Sequence, residues 1–222
     1  MRFLTAKRPI AFLLAAAFAA IPALAQPAPA APRTVSAIIK AIEARNASLK
    51  TFQARMHVQV HMLSFPWLSP HLDGTAYYKR PANYEVVFDK PPSYMKGVDK
   101  LFADIDDPQG WQKDSNITFA GTRNVGGRQL LALRMTKKIY SDQIKDTVAY
   151  VDPSTYEIVR MEWHYFKGTI TMTQTYRKEG GYSVIASQHV DANYRVRAVA
   201  DSSFDPYKTN VPISGSVFTN KN

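Results

Sequence analysis

Few residues in this chain offer chemistry by type and spacing. His57 and His61 stand four apart, a spacing that on a helix would turn both imidazoles toward one metal ion. Glu162 and His164 make a second acid–imidazole pair. Asp104, Asp106 and Asp107 precede Pro108. Such a cluster could hold Ca²⁺, but it lacks the D-x-[DN]-x-[DN]-G order of a calcium loop, and Asp equally favours helix starts and turns. No G-x-S-x-G elbow and no G-x-x-x-x-G-K-[ST] phosphate loop occurs. Cysteine is absent, which excludes disulfides, thiolate metal sites, a Cys nucleophile and a lipidated Cys anchor. The expectation is a protein with no catalytic residue, no metal and no cofactor.

The element that carries a residue decides what it can do. Thr51–Leu63 alternates with period two: Phe52, Ala54, Met56, Val58, Val60 and Met62 fall on one face, and Gln53, Arg55, His57, Gln59 and His61 on the other. That pattern predicts a strand of an antiparallel sheet covered on one side. On a strand His57 and His61 lie about 13 Å apart, four rises of ~3.3 Å, too far to chelate one ion as a pair. Glu162 and His164 sit likewise on the outward face of a strand at Ile158–Tyr165, opposite Val159, Met161, Trp163 and Tyr165.

The first 25 residues read as a cleaved secretory signal peptide. Arg2, Lys7 and Arg8 precede a short apolar run, which ends at Pro22 and an Ala23-Leu24-Ala25 cleavage pattern. A spanning anchor would need a longer run of about 20 apolar residues. Loss of those three basic residues takes the net charge from +10 to +7. The implied compartment is the periplasm, where nucleic acid is not the partner. Anionic lipid headgroups or acidic envelope polymers are the alternatives, beside plain solubility. The Tyr77-Tyr78-Lys79-Arg80 stretch therefore does not read as an oligonucleotide platform.

Residues 26–33 form a Pro/Ala spacer, and 34–222 form one domain. Thr34–Lys50 has helical spacing of Val35, Ile38, Ile39, Ile42 and Leu49, with Thr34 or Ser36 as cap. Ser64–Asp73 reads as a loop, Gly74–Arg80 as a second strand and Tyr84–Asp89 as a third. Val98, Leu101, Phe102 and Ile105 predict a short amphipathic helix within Gly97–Ile105, and Pro108 and Gly110 mark a turn or short helix before Trp111. Strands follow at Ile117–Ala120, Gln129–Met135, Thr147–Val151, Ile158–Tyr165, Thr169–Tyr176, Tyr182–Val190 and Tyr194–Ala200, joined by turns such as Asn124–Gly127 and Asp152–Thr155. Roughly ten strands with one apolar face and few helices predict an α+β fold: a strongly curved antiparallel sheet, an unclosed β-barrel, its concave face covered by helices.

Leu49–Val60 (LKTFQARMHVQV), then Gly74-Thr-Ala-Tyr-Tyr-Lys-Arg-Pro81 with an aromatic at Tyr84, resembles the LolA-like family of outer-membrane lipoprotein-sorting carriers. There a helix leads into an S-F-x-A-x-F strand and a G-x-x-x-x-K-R-P strand. Val151–Ile158 resembles that family's turn between two back strands. The family's D-G-x-x-L-W-x-Y-x-P segment is absent, and Pro91, Pro92 and the Val98–Ile105 stretch stand in its place.

The resemblance implies an unclosed barrel with a helical lid over an apolar cavity. It further implies a soluble periplasmic carrier for the acyl chains of a lipoprotein or lipid, bound for the outer membrane. Donor and acceptor proteins in the inner and outer membranes would be partners, and a monomer is expected. The wall would be Phe52, Met56, Val58, Val60 and Met62, with Tyr78, Tyr84, Val86 and Phe88, and Met161, Trp163 and Met172 from later strands. The same faces would suit a solid core. The arginine of K-R-P, here Arg80, would latch the lid by bonding helix carbonyls, the alternative being a surface arginine beside Lys79. The other reading of the fold is a non-enzymatic lipid-sensing or protein-binding module of the envelope.

Overall fold

The computed structural model describes residues 34–81, 83–91, 108–139 and 143–218. The leader, the spacer, the helix expected within Gly97–Ile105 and the Asp104–Asp107 cluster lie outside the described residues.

Helix α1 (Val35–Ala44) comes first, capped by Thr34, whose Oγ1 accepts from the Ala37 amide at 3.2 Å. Strands β1 (Thr51–Met62), β2 (His71–Lys79) and β3 (Asn83–Phe88) follow, then helix α2 (Pro108–Asp114). The rest is sheet: β4 (Ser115–Val125), β5 (Arg128–Lys137), β6 (Ile144–Val151), β7 (Ile158–Tyr165), β8 (Gly168–Glu179), β9 (Tyr182–Tyr194), β10 (Val196–Phe204) and β11 (Lys208–Thr209). All pair antiparallel in the order β3-β2-β1-β10-β9-β8-β7-β6-β5-β4, with β11 beside the start of β1. Because β3 and β4 are not paired with each other, the sheet is an unclosed barrel.

Hairpins set this order. Gly126 and Gly127 have φ of +57° and +80°, and Gly180 and Gly181 have +57° and +84°. Two consecutive left-handed residues make the tight turn whose twist matches its flanking strands.

Most strands run a few residues past their expected ends, β9 to Tyr194 and β10 to Phe204 among them, and three differences have a local cause. Helix α1 stops at Ala44 instead of Lys50, because Asn46 leaves the helix to bond the Ser183 backbone in β9. The segment before Gly74 is strand from His71 onward, since the long β1 offers it a partner at Gln59. Strand β4 does not end at Ala120: it bulges between Phe119 and Thr122, at Gly121 with φ +86°, and runs on to Val125.

One apolar core lies on the inner face. Ile38, Ile39 and Ile42 of α1 meet Met56, Val58, Leu133, Met161 and Met172 of the sheet there. Helix α1 also touches α2 and β4, so it lies against the concave face.

Candidate functional site

Lateral rows of side chains define the concave face, because directly paired residues in a sheet point the same way. The middle row runs Val60–Ala200–Val190–Met172–Met161–Ala149–Leu133 across seven strands. A row nearer α1 runs Val58–Ser202–Gln188–Gln174. The row on the far side runs Met62–Ala198–Ala192–Ile170–Trp163.

Burial changes from row to row. In the row nearest α1, Val58, Ser202, Gln188 and Gln174 are all at most 3% exposed. In the far row Met62, Ala198, Ala192 and Trp163 are half-buried, as are Ala200 and Val190 in the middle row, while Ile170 and, where the row continues onto β5, Met135 stay buried at 7% and 4% exposure. The concave face is thus sealed near the helix and partly open to solvent at the other end of β1, β10 and β9. Ala192, Ala198 and Ala200 of β9 and β10 stand there beside larger neighbours.

The row nearest α1 is polar. Gln174 donates from Nε2 to the Ile158 carbonyl at 2.6 Å, and Gln188 Nε2 donates to Gln174 Oε1 at 3.1 Å. Gln188 Oε1 and Ser202 Oγ have no hydrogen-bond partner among the described residues. Buried polar atoms without partners are rare and costly, so the floor of this face carries unmet hydrogen-bonding capacity.

The expected wall residues converge. Met56, Val58, Val60, Val86, Met161 and Met172 belong to the single core cluster, and Phe52, Met62, Tyr84, Phe88 and Trp163 pack against it. Tyr78 stacks on Phe52 at 5.2 Å, and Phe52 also meets Tyr207 edge-on at 5.1 Å.

Arg80 lies at the C-terminal side of α1. Its Nε donates to the Leu49 carbonyl at 3.0 Å and an Nη to the Asn46 carbonyl at 2.7 Å. The same corner is laced further. Asn46 Nδ2 donates to the Ser183 carbonyl at 2.8 Å, and its Oδ1 accepts from the Ser183 amide at 3.1 Å. Asn210 Oδ1 accepts from the Lys50 amide at 2.7 Å, and its Nδ2 donates to Tyr182 at 2.8 Å. Nearby, Asp152 stays well ionised. Burial would raise its pKa, but bonds from Ser154, Arg128 and the Thr155 amide hold it down to about 2. Burial pushes the Tyr207 hydroxyl far up, so it stays protonated and donates to the Ile185 carbonyl at 2.9 Å.

The histidines sit on the outer face. His57 pairs not with His61 but across the ladder with Asp73, at 2.7 Å, and Asp73 also meets His71 at 3.3 Å. One ligand atom from each of His57, His71 and Asp73 falls within 4.8 Å of the others. Sequence reasoning missed this group because only the β1–β2 register brings it together. Cross-strand pairing recurs at His189–Asp201, 2.7 Å, with no comparable third group among the described residues. His164 bonds Asp146 at 2.5 Å and lies 3.4 Å from Glu162. The His57 bond lowers the Asp73 pKa. No nucleophile–base pair of an acyl-transfer or hydrolytic kind faces the concave side among the described residues.

No protein-family model matches the sequence, and comparison with curated proteins yields no match. Solved structures do match. A DUF1329 family protein from Desulfovibrio piger superposes with a TM-score of 0.64 at 13% identity, over 83% of this chain and 97% of its own. A LolA superfamily protein from Nitrosomonas europaea gives 0.62 at 12% identity, over 85% and 98%. A Vibrio parahaemolyticus domain assigned to outer-membrane lipoprotein sorting gives 0.62 at 12%, over 83% and 95%. At these identities the likeness is one of architecture, and on that architecture the chain has the LolA-like fold.

Proposed function

We propose that this protein is a soluble, non-enzymatic periplasmic carrier, which shields acyl chains of a lipoprotein or lipid on its concave face on the way to the outer membrane. The observation that carries this reading is the burial gradient: one face, apolar but for Gln174, Gln188 and Ser202, sealed near α1 and partly exposed at the far row along β1, β10 and β9. An acyl chain would enter along Met62, Ala198, Ala192 and Trp163. It would displace α1 to reach Met56, Met161 and Met172. Methionine walls adapt to flexible chains, and each CH₂ removed from water contributes about 0.8 kcal/mol. The two bonds from Arg80 would hold the lid shut until cargo arrives.

Removal of the first 25 residues would release the carrier as a monomer, to meet donor and acceptor proteins at the two membranes. No helix among the described residues is long and apolar enough to cross a bilayer. A fluorescent fatty acid tests the reading directly. Wild type should bind it and Ala192→Trp should block it, and lipid should co-purify with protein taken from cell envelopes. A protein that is empty by mass spectrometry and indifferent to the probe is not a carrier.

A further inference from the structure

We infer that the end of the sheet farthest from the α1 corner docks on an anionic membrane surface. Three turns lie there, residues 63–70 between β1 and β2, 166–167 between β7 and β8, and Arg195 between β9 and β10, and β5 runs out at this end into Lys138 and Ile139. Of the eight large apolar residues exposed among the described ones, six are at this end: Leu63, Phe65, Trp67, Ile139, Phe166 and Val196. Trp67 is 81% exposed. The other two, Val87 and Phe119, lie on the edge strands.

Cations ring these tips. Lys138, Lys167 and Arg195 are at the tips, and Lys137, Lys145 and Arg197 stand within two residues of their strand ends; all six are exposed. Among the described residues two exposed acids stand against them, Asp114 where α2 runs into β4 and Asp191 four residues before Arg195.

The rim is continuous. Phe65 and Trp67 pack edge-on at 5.8 Å. Ser64 donates its amide to the Arg197 carbonyl at 3.1 Å, and its Oγ accepts from the Arg197 amide at 2.9 Å. Tyr194 stacks on Tyr165 at 4.1 Å, with Arg195 5.1 Å over Tyr194, and Lys145 lies 5.4 Å over Phe166. From β1 to β6 this spans five strand spacings, about 24 Å.

Trp and Phe at turn tips, flanked by Lys and Arg, match the composition by which proteins settle into the headgroup layer, with rings at the interface and cations on anionic phosphates. A protein partner would favour a contiguous apolar centre with a polar rim. Here the apolar groups are separate tips with cations between them. The half-open row of the concave face, Met62 to Trp163, ends beside these turns, so docking would bring its mouth to the bilayer.

Vesicle flotation tests this on the purified protein. Wild type should float with phosphatidylcholine vesicles containing about one third phosphatidylglycerol, not with phosphatidylcholine alone, and salt should release it. The double variant Phe65→Ser/Trp67→Ser and the double variant Lys145→Glu/Lys167→Glu should each bind about tenfold more weakly or worse. Both should keep fatty-acid binding. Wild type that ignores anionic vesicles overturns the inference, and so do rim variants that float as well as wild type. Rim variants that lose a protein partner while wild type ignores vesicles assign the surface to that partner instead. If no variant and no wild type binds fatty acid, the carrier reading fails while the flotation result still decides this one.

Discussion

The two ends of the sheet are built to opposite rules. At the α1 corner, polar groups are spent inward: Arg80, Asn46, Asn210 and Tyr182 join helix, β2, β9 and the C-terminal segment through short hydrogen bonds. The side chains beneath are almost wholly buried. At the other end the turns send aromatics and cations outward, and the concave face below them is half-buried. The difference separates tasks. Side-chain hydrogen bonds over sequence gaps as long as 160 residues cluster at one end, whereas the other end, tied by Ser64 and Arg197, turns its aromatics and cations toward something outside the chain.

The two regions should differ most in their response to truncation of one methionine in each. Met161 is 1% exposed in the middle of the sheet, and Met62 is half-buried in the open row. Met161→Ala should cost ~2–5 kcal/mol in urea unfolding, since transfer and cavity terms add. Met62→Ala should cost under about 1 kcal/mol, because water or a relaxed neighbour can fill the space. Equal losses would mean that the far row is as closely packed as the core.

Acid tests the corner next. The folded-state pKa of Asp152 is about 2 and lies below its ordinary value of 3.8, so its stabilisation is present above about pH 4 and is lost as pH falls toward 2. The shift corresponds to about 2 kcal/mol at neutral pH. Asp152→Asn should lose roughly that amount at pH 7 by chemical denaturation, and its stability should change less than that of wild type between pH 4 and pH 2. Variant and wild type that lose stability in parallel over that range would remove Asp152 from the account.

Arg80→Leu should be milder for stability, about 1 kcal/mol, because Arg80 is an exposed residue whose loss removes two hydrogen bonds to carbonyls. If those bonds latch α1, hydrogen exchange in Val35–Ala44 should rise in Arg80→Leu well before global unfolding. Unchanged exchange would make Arg80 a surface tie and nothing more.

Much of this was legible from one sequence. Strand β7 is read to the residue, because clean alternation is bounded by an Asp-Pro turn on one side and Lys-Gly on the other. That the expected wall residues share one face is readable by parity alone. The end of α1 is not, since its terminator is a contact between Asn46 and Ser183. The polar row was half visible. Gln174 shares parity with Ile170 and Met172, yet its alignment with Gln188 and Ser202 exists only in the register of three strands. The His57–Asp73–His71 group is hidden for the same reason. Phe65-Pro66-Trp67 was in plain view: two aromatics in a Pro-bounded loop too short to bury them.

That loop supplies the smallest stability effect and the clearest contrast. Trp67 projects 81% exposed, with Phe65 as its ring neighbour. A side chain that hides so little surface contributes little to folding, so Trp67→Ser should shift unfolding by no more than about 0.5 kcal/mol. The substitution should nevertheless alter tryptophan emission on mixing with anionic vesicles, because Trp111 is buried and Trp163 half-buried in the domain. Wild type should show a blue shift as Trp67 enters the headgroup layer, and the variant should not. A large loss of stability in Trp67→Ser would mean that the loop helps to hold β1 and β2 together. The two ends of the sheet would then differ in composition but not in task.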